Sequence, residues 1–530
     1  MKKYIGITIG PIFDMMSLVS TPAALWATSY MFSSISKKTC EKLHKENIRI
    51  ISPFFDSPEN ELFNKNDGIG LFHDRIIIDG SNVTWDRINQ IKAEVLEEVS
   101  KSFELEKDEL SKRVLYVAAE INVTEGENPI LKGGKVLDSL ELSRKVMFRE
   151  TENPILAKFT GGLTEDDENE KVEKAKEGKN EKIKKIAEDN LGINTEVWPL
   201  IRNKKSSETG EILHLIKSLP AIAAAGRKSE MKKHSYYAIV RSDGDNMSKI
   251  IERLPVDRNV TDDEITGRTL SEFSKICLDY CSSVAKKVTE YKGVPIYSSG
   301  DDLLAIMPCD SGSVGTVFNF VKDANKLFKQ MFNKYIEMIE SENEDKSDDE
   351  KIAVPSLSFG ISICFKKFPL YEALADSATL LFDFAKSKKN CTAVRLQKHS
   401  GQSEGLLICN DVLDDYLEIQ NIVLSKNSDS TTEILLSALY KTEQFEELFL
   451  EAKDNVQIEN LFKNTFDAVA HNNDDFVHKH LPCFYNNIRS KKRLFSLSEK
   501  EDDSRYNDIR VFNFALRILK FFVEKGGKEV

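Results

Sequence analysis

Tyr297-Ser298-Ser299-Gly300-Asp301-Asp302-Leu303-Leu304-Ala305-Ile306 decides how this chain is read. Val294 and Ile296 precede it and an apolar run follows the acidic pair. The stretch therefore predicts a β-hairpin with two carboxylates at its tip. Gly300 supplies the permissive backbone that a tight turn needs. Two adjacent aspartates repel unless a cation sits between them, and a hard divalent ion is the usual partner. Taken alone, a solvated surface turn is the simpler account.

A second stretch changes that balance. Tyr236-Tyr237-Ala238-Ile239-Val240-Arg241-Ser242-Asp243-Gly244-Asp245-Asn246-Met247 reads as a buried strand running into an acidic, Gly-containing loop, with a helix further on from Leu270 to Tyr291. Strand–Asp, helix, then hairpin–Asp-Asp is how palm-type nucleotidyl transferases gather metal carboxylates on one sheet edge. Two Mg²⁺ ions held there can activate a ribose hydroxyl and stabilise the departing pyrophosphate. Pro355-Ser356-Leu357-Ser358-Phe359-Gly360-Ile361-Ser362-Ile363 is a further strand. The helix from Leu370 through Lys386 then offers a lysine to a triphosphate.

These motifs, with "PLYEALADSATLLFDFAKSKKN" at 369–390, resemble the polymerase–cyclase large subunit of type III CRISPR effector complexes, type III-B variety. Ile9-Gly10-Pro11 followed by Leu25-Trp26-Ala27-Thr28-Ser29-Tyr30 is similar to that family's opening signature, and the likeness runs in order from residue 4 to about residue 400. The resemblance implies an α+β multidomain fold with two palm domains of the ferredoxin-like, GGDEF-like cyclase kind and a C-terminal helical bundle. The expected division is 1–160 for a degenerate first palm, 161–233 for a charged connector, 234–402 for the catalytic second palm and 403–530 for the bundle.

The resemblance also implies roles. Asp243, Asp301 and Asp302 would hold Mg²⁺ or Mn²⁺ and carry catalysis, with the Gly244 carbonyl as a further ligand. Gly300 would let the backbone approach the nucleotide, Lys386 would hold the ATP triphosphate, and Asn246, Ser299, Ser358 and Gly360 would line the pocket. Ser299 stands where the family usually has glycine. Relatives carry basic residues between the Gly-Pro and Leu-Trp-Ala elements, where this chain has Ser17-Leu18-Val19-Ser20-Thr21-Pro22-Ala23. The resemblance implies a nucleotide second messenger made from ATP, either a cyclic oligoadenylate or an S-adenosylmethionine–AMP conjugate. A first-palm pocket without those cations suits the second as well as the first, and since a sulfonium prefers carboxylates this points to Asp74 and Glu150. Expected partners are the other type III-B subunits, the guide crRNA and the target RNA. No HD nuclease domain precedes the first palm in this reading, so DNA cleavage is not expected.

Composition bounds the alternatives. The chain has 530 residues, 41% hydrophobic and 30% charged, which calls for several domains of ordinary soluble type. A formal net charge of −12 excludes a basic nucleic-acid wrapper, so RNA contact must be local or delegated. The 8 cysteines form no C-x-x-C pair, no zinc site is expected, and free thiols suit a reducing cytoplasm. No apolar run is long enough for a bilayer.

Taken in order, 4–9 reads as a strand, Pro22–Cys40 as a helix, Ile48–Phe55 as a strand, Asp67–Ile78 as a turn and strand, Asp86–Phe103 as a helix and Val114–Val123 as a strand. Residues 164–190 are a mixed-charge run with no assigned function. Lys232, Lys233 and His234 look like surface flanks, and the acids of 341–351 like a solvated loop, since they lack calcium-loop spacing. Past Gly401 no strand pattern persists; helical periodicity fills 410–530, and Arg489, Lys491, Lys492 and Arg493 suit either RNA backbone or a solvated face. Two other function classes stay open. One is a scaffold with a vestigial palm. The other is a stand-alone cyclic-dinucleotide synthase, which needs neither a second palm nor a bundle.

Overall fold

The computed structural model describes residues 2–56, 69–103, 105–143, 153, 155, 219–225, 232–256, 269–347, 349–425, 428–466, 475–497 and 508–524. Glu150, most of the 161–233 connector and the 164–190 charge run lie outside these residues.

The first sheet is built by a strand–helix–strand–strand–helix–strand run. β1 (Lys2–Gly10) leads through the short α1 (Ile12–Ser17) to α2 (Pro22–Lys45). Thr21 opens α2 as its N-cap, its side chain accepting from the Ala24 N–H, and Pro22 takes the first helical position where its missing donor does no harm. β2 (Ile50–Ser52) and β3 (Arg75–Asp79) follow, then α3 (Trp85–Ser102), α4 (Lys107–Arg113), β4 (Leu115–Val123) and α5 (Pro129–Ser143). The sheet is antiparallel in the order β2-β3-β1-β4. β1 is central and buried along its length from Tyr4 to Gly10, which is why its sequence alternates poorly. β2 is shorter than the 48–55 reading because Pro53 cannot donate to the ladder.

The second sheet repeats that plan. β5 (Tyr236–Asp245) follows α6 (Leu219–Ala223); α7 (Met247–Ile251) and α8 (Leu270–Glu290) lead to β6 (Val294–Ser299), β7 (Asp302–Pro308), α9 (Val317–Asn343) and β8 (Ser356–Phe365). Antiparallel order β6-β7-β5-β8 matches β2-β3-β1-β4 strand for strand. α8 starts with a reciprocal capping box between Thr269 and Glu272 and buries Phe273, Leu278, Cys281, Val284 and Val288 along one stripe. The α+β, two-palm expectation holds.

The expectation of no strand past Gly401 does not. After α10 (Leu370–Thr379) and the short α11 (Lys386–Lys388), β9 (Cys391–Gln397) runs parallel to β8, and β10 (Ser403–Cys409) and β11 (Leu494–Ser496) extend the sheet to seven strands, β11-β10-β9-β8-β5-β7-β6. β10 escaped because its Leu406–Cys409 end is buried as a continuous run, without period-two alternation. β11 spans 3 residues, too short to carry a pattern. Around these strands stand α12 (Leu413–Ser425), α13 (Ser428–Gln444), α14 (Glu446–Glu451), α15 (Asn455–Thr465), α16 (Leu481–Lys491) and α17 (Asp508–Val523), so the C-terminal region is helical apart from its two strands. α17 is buried nearly all round and packs on both α13 and β10.

The two palms meet face to face. The Ser298 N–H donates to the Gly70 carbonyl at 3.1 Å, the Phe54 N–H to Ser274 Oγ at 2.7 Å, and Asn128 Nδ2 to the Ile251 carbonyl at 2.7 Å. Lys233 corrects a further expectation: it is buried and paired with Asp310 instead of lying on the surface.

Candidate active site

Three ladders create the site. β6 and β7 pair down to Ser299↔Asp302, and Gly300 turns the chain between them at φ +68°, a region that favours glycine. β5 pairs with β7 down to Ser242↔Leu303, which sets Asp243 beside the start of β7. Gly244 is required by the next contact: a Cβ there would lie 2.4 Å from Asp301 Oδ2. The turn is pinned from behind, Cys281 Sγ donating to the Gly300 carbonyl at 3.1 Å and Ser298 Oγ to the Cys281 carbonyl at 3.0 Å. As a result one carboxylate oxygen from each of Asp243, Asp301 and Asp302 lies within 4.8 Å of the others.

Such closeness has an electrostatic consequence. Burial, and then the Asp243 charge, push the Asp301 carboxyl up to about 7. Burial pushes Asp302 well above the carboxylate range, with Asp243 and Asp301 adding to it. Three crowded carboxylates are the arrangement a divalent cation relieves. An all-oxygen donor set suits a hard ion of the Mg²⁺ or Mn²⁺ kind. The residues fit such an ion.

Lys386 is already engaged here. A π-helical stretch, Leu380–Ala385, follows α10 (Leu370–Thr379) and delivers Lys386 to the acids. Its Nζ lies 2.6 Å from Asp243 Oδ2, 3.2 Å from Asp245 Oδ1 and donates to the Gly244 carbonyl at 2.6 Å. Burial pulls the ammonium down, but Asp243 and Asp245 outweigh it and raise its pKa. The Gly244 carbonyl, expected as a metal ligand, thus serves as an acceptor for Lys386.

Other expected pocket residues are placed differently. Ser358 is fully buried and donates to Asp245 Oδ2 at 2.7 Å, so it supports the site from behind. Gly360 faces the π-helical stretch, where a Cβ would meet the Ser377 carbonyl at 2.4 Å and Leu381 N at 2.5 Å; its role is close strand–helix packing. Asn246 adopts φ +59°, donates to the Val354 carbonyl and accepts from Lys389. Ser299 is buried and lines the cavity beside Gly300. Asp245 was not singled out, although it sits two residues beyond Asp243 on the same face of a strand.

A cavity of about 460 Å³ opens from the acidic tip toward the first palm. Asp301, Asp302, Ser299, Gly300 and Tyr297 line it from the second palm, and Ser52, His73, Asp74 and Arg75 from the first. Asp74, one of the two expected acceptor acids, is therefore brought to the site. Burial raises its carboxyl to about 6, with Arg75 opposing. Burial also holds His73 down to about 4, helped by Arg75. The Arg75 guanidinium itself reaches Asp138 at 2.5 Å and Glu141 at 3.2 Å. Phe13 meets Tyr297 edge-on at 5.9 Å across the cavity wall.

The four residues Arg489, Lys491, Lys492 and Arg493 do not form an open basic patch. Lys491 pairs with Asp415, Arg493 with Asp411 at 3.2 Å, and Arg489 with Asp508 at 3.7 Å.

Two palms of one topology, with an acidic triad on the second, define the class of the chain. Residues 236–393 match the family model for the second palm domain of Cas10/Cmr2, so the chain carries a Cas10/Cmr2 second palm, in agreement with its sequence motifs. The CRISPR system Cmr subunit Cmr2 of Pyrococcus furiosus is 28% identical over 218 residues, 38% of this chain and 22% of that protein. That match spans about a fifth of the relative's length. Among solved structures, the apo type III-B Cmr-beta is similar at a TM-score of 0.59 and 13% identity, covering 98% of this chain and 81% of that one. Cmr-beta bound to cognate target RNA gives 0.58 and 12%, covering 99% and 83%. Csm1 of T. onnurineus gives 0.50 and 12%, covering 99% and 70%. At these identities the likeness is one of fold. Among the described residues no helix is long and apolar enough to cross a membrane.

Proposed function

We propose that this chain is the RNA-activated nucleotidyltransferase subunit of a type III-B CRISPR effector complex, working with the other subunits, guide crRNA and target RNA, and making a nucleotide second messenger from ATP. The observation that carries the reading is the acidic triad, held within 4.8 Å, of which Asp301 and Asp302 line a cavity shared with the first palm. Asp243, Asp301 and Asp302 would hold Mg²⁺ or Mn²⁺, which when bound supplies charge neutralisation at the donor phosphates. Lys386, held beside Asp243, would meet the triphosphate, and Gly300 would keep the turn bare for close approach. An acceptor ribose hydroxyl gives up its proton and forms the bond to the α-phosphorus, while pyrophosphate leaves with the electrons of the broken bond. The chain contributes placement and fixed charge rather than covalent chemistry.

The first-palm side of the cavity bears on the acceptor. Among the described residues its one guanidinium, Arg75, is already matched by Asp138 and Glu141, and Asp74 adds a buried carboxyl. A triphosphate carries roughly four negative charges, which are expensive to bury without fixed cations. An acceptor with a positive centre meets no such cost, which favours an S-adenosylmethionine–AMP conjugate over a cyclic oligoadenylate as product. The test incubates the RNA-activated complex with labelled ATP, with and without S-adenosylmethionine. A conjugate that appears only when both are present is expected. Abundant cyclic oligoadenylate from ATP alone, unchanged by the added acceptor, overturns the acceptor assignment, and no product of either kind supports the scaffold reading instead.

A further inference from the structure

Asp245 is a buried carboxylate whose two oxygens are treated unequally. Oδ2 is saturated: it accepts from Ser356 Oγ at 2.8 Å, Ser358 Oγ at 2.7 Å and the Asn390 N–H at 2.9 Å. Those donors come from β8 and from the turn before β9, so the carboxylate is fixed by two separate elements. Oδ1 is buried and reaches no such donor; the Lys386 ammonium lies 3.2 Å from it. That ammonium meanwhile lies 2.6 Å from Asp243, which belongs to the triad. A divalent ion that takes Asp243 competes with the ammonium for that carboxylate's charge and repels it at short range. Nor can the ammonium be left in a buried site with no counter-charge.

We propose that Asp245 is a positioning residue: its Oδ1, already within reach of the ammonium, is the seat that keeps Lys386 when a divalent cation occupies Asp243. The inference rests on the triad being a cation site. Lys386 shifts off Asp243, keeps Asp245 and never loses a partner. Its Nζ then remains beside the donor phosphates without competing for the ion. The neighbouring Asn246 cannot take this role, since its side chain already bonds Val354 and Lys389. Asp245 itself touches neither substrate nor ion.

The experiment titrates Mn²⁺ into the purified full chain without nucleotide and counts free ion by electron paramagnetic resonance. Four variants accompany the wild type: Asp301→Ala/Asp302→Ala, Asp245→Asn, Lys386→Met, and Asp245→Asn/Lys386→Met, with melting curves for each. Asp245→Asn is expected to weaken Mn²⁺ by about tenfold, the scale of coupling within one salt-bridge network, yet by less than about twofold once Lys386 is methionine. An equal loss in both backgrounds, or none in either, overturns the proposal. The double alanine decides the underlying reading separately: if it binds Mn²⁺ as the wild type does, the triad is not the cation site. Should Asp245→Asn fail to fold, a structure of the wild-type chain with Mn²⁺ decides. Lys386 on Asp245 and away from Asp243 supports the shift, and Lys386 still on Asp243 refutes it.

Discussion

The two palms share one strand order and differ in what they place at the same point. In the second, β5 ends in Asp243 and β7 begins at Asp302. In the first, β1 passes Ile9, whose N–H donates to the Asp74 carbonyl at 2.9 Å, just before β3 begins. Asp74 therefore occupies the topological place of the hairpin acids, but faces an isoleucine where they face an aspartate. The second palm joins its two strands by the tight Gly300-Asp301 turn, whereas the first uses a long connection from residue 53 to 74. One scaffold thus carries a triad in one copy and Asp74 at the matching strand end in the other. The lesson is that a palm's chemistry resides in the strand ends rather than in the sheet.

The sharpest way to break this comparison is to remove what only the second palm has. Asp301→Ala/Asp302→Ala is expected to lower product formation by about a thousandfold or more while assembly with subunits and RNA persists. The side chains sit at a hairpin tip, and their removal relieves repulsion rather than opening a core. Loss of assembly in gel filtration would show the pair to be structural, and retained product would show the palms to be equivalent.

A smaller effect is expected from Asp74, the acid with which the first palm lines the cavity. Asp74→Asn should raise the KM for a cationic acceptor by about tenfold, the order of a buried charge pair's coupling, and leave the KM for ATP within about twofold. Equal change in both constants would mean that Asp74 shapes the donor site as well.

The triad also makes a stability prediction that the first palm does not share in strength. Asp301 titrates at about 7 in the folded chain, raised by burial and Asp243. Below pH about 4 the folded and unfolded chains both hold this proton; between about 4 and 7 only the folded chain keeps it, so stability without divalent ions falls as pH rises through that window. Asp301→Asn should therefore raise the melting midpoint by about 2–4 °C at pH 8 and change it little at pH 4. Added Mg²⁺ should shrink the difference. A midpoint for Asp301→Asn at or below the wild type at pH 8 would mean that the acids are not crowded.

Much of this was legible in the chain itself. The apolar run of β5, the Gly-Asp-Asp turn and the 3.6-residue stripe of α8 each carry a local pattern, and each fell where that pattern put it. So did the meeting of Asp243 with Asp301 and Asp302, because antiparallel pairing leaves few registers that bury Ile239 and Ile306 together. What could not be read is what depends on the other side of a contact. Ser358 and Gly360 share one face of β8, but nothing in the strand says that one meets a buried carboxylate and the other a π-helical turn. Arg75 is a cation in the sequence and a neutralised one in the fold, because Asp138 and Glu141 arrive from a helix some sixty residues later. Asp245 was hidden by its neighbour: both acids look alike until β8 and Asn390 close over one of them.

The smallest expected effect concerns the strands that only the second palm possesses. β11 is flanked by Lys491, Lys492 and Arg493, and a basic edge on an extended sheet could be taken for an RNA platform. Lys491 and Arg493 are instead paired with Asp415 and Asp411, which lie beside and within α12. Their field is cancelled at short range, and the pairs tie the start of α12 to the end of α16. Exposed pairs of this kind contribute about 0–1 kcal/mol each. Lys491→Gln/Arg493→Gln should therefore lower the melting midpoint slightly, and more at low salt than at high, because screening already weakens the pairs. RNA affinity of the assembled complex should keep its salt dependence. A phosphate-binding role would remove about one counterion per residue and flatten the slope of log K against log salt by nearly two. A flattened slope would make the extension of the second palm a nucleic-acid surface, and an unchanged one leaves it as the brace that holds the C-terminal helices to the catalytic sheet.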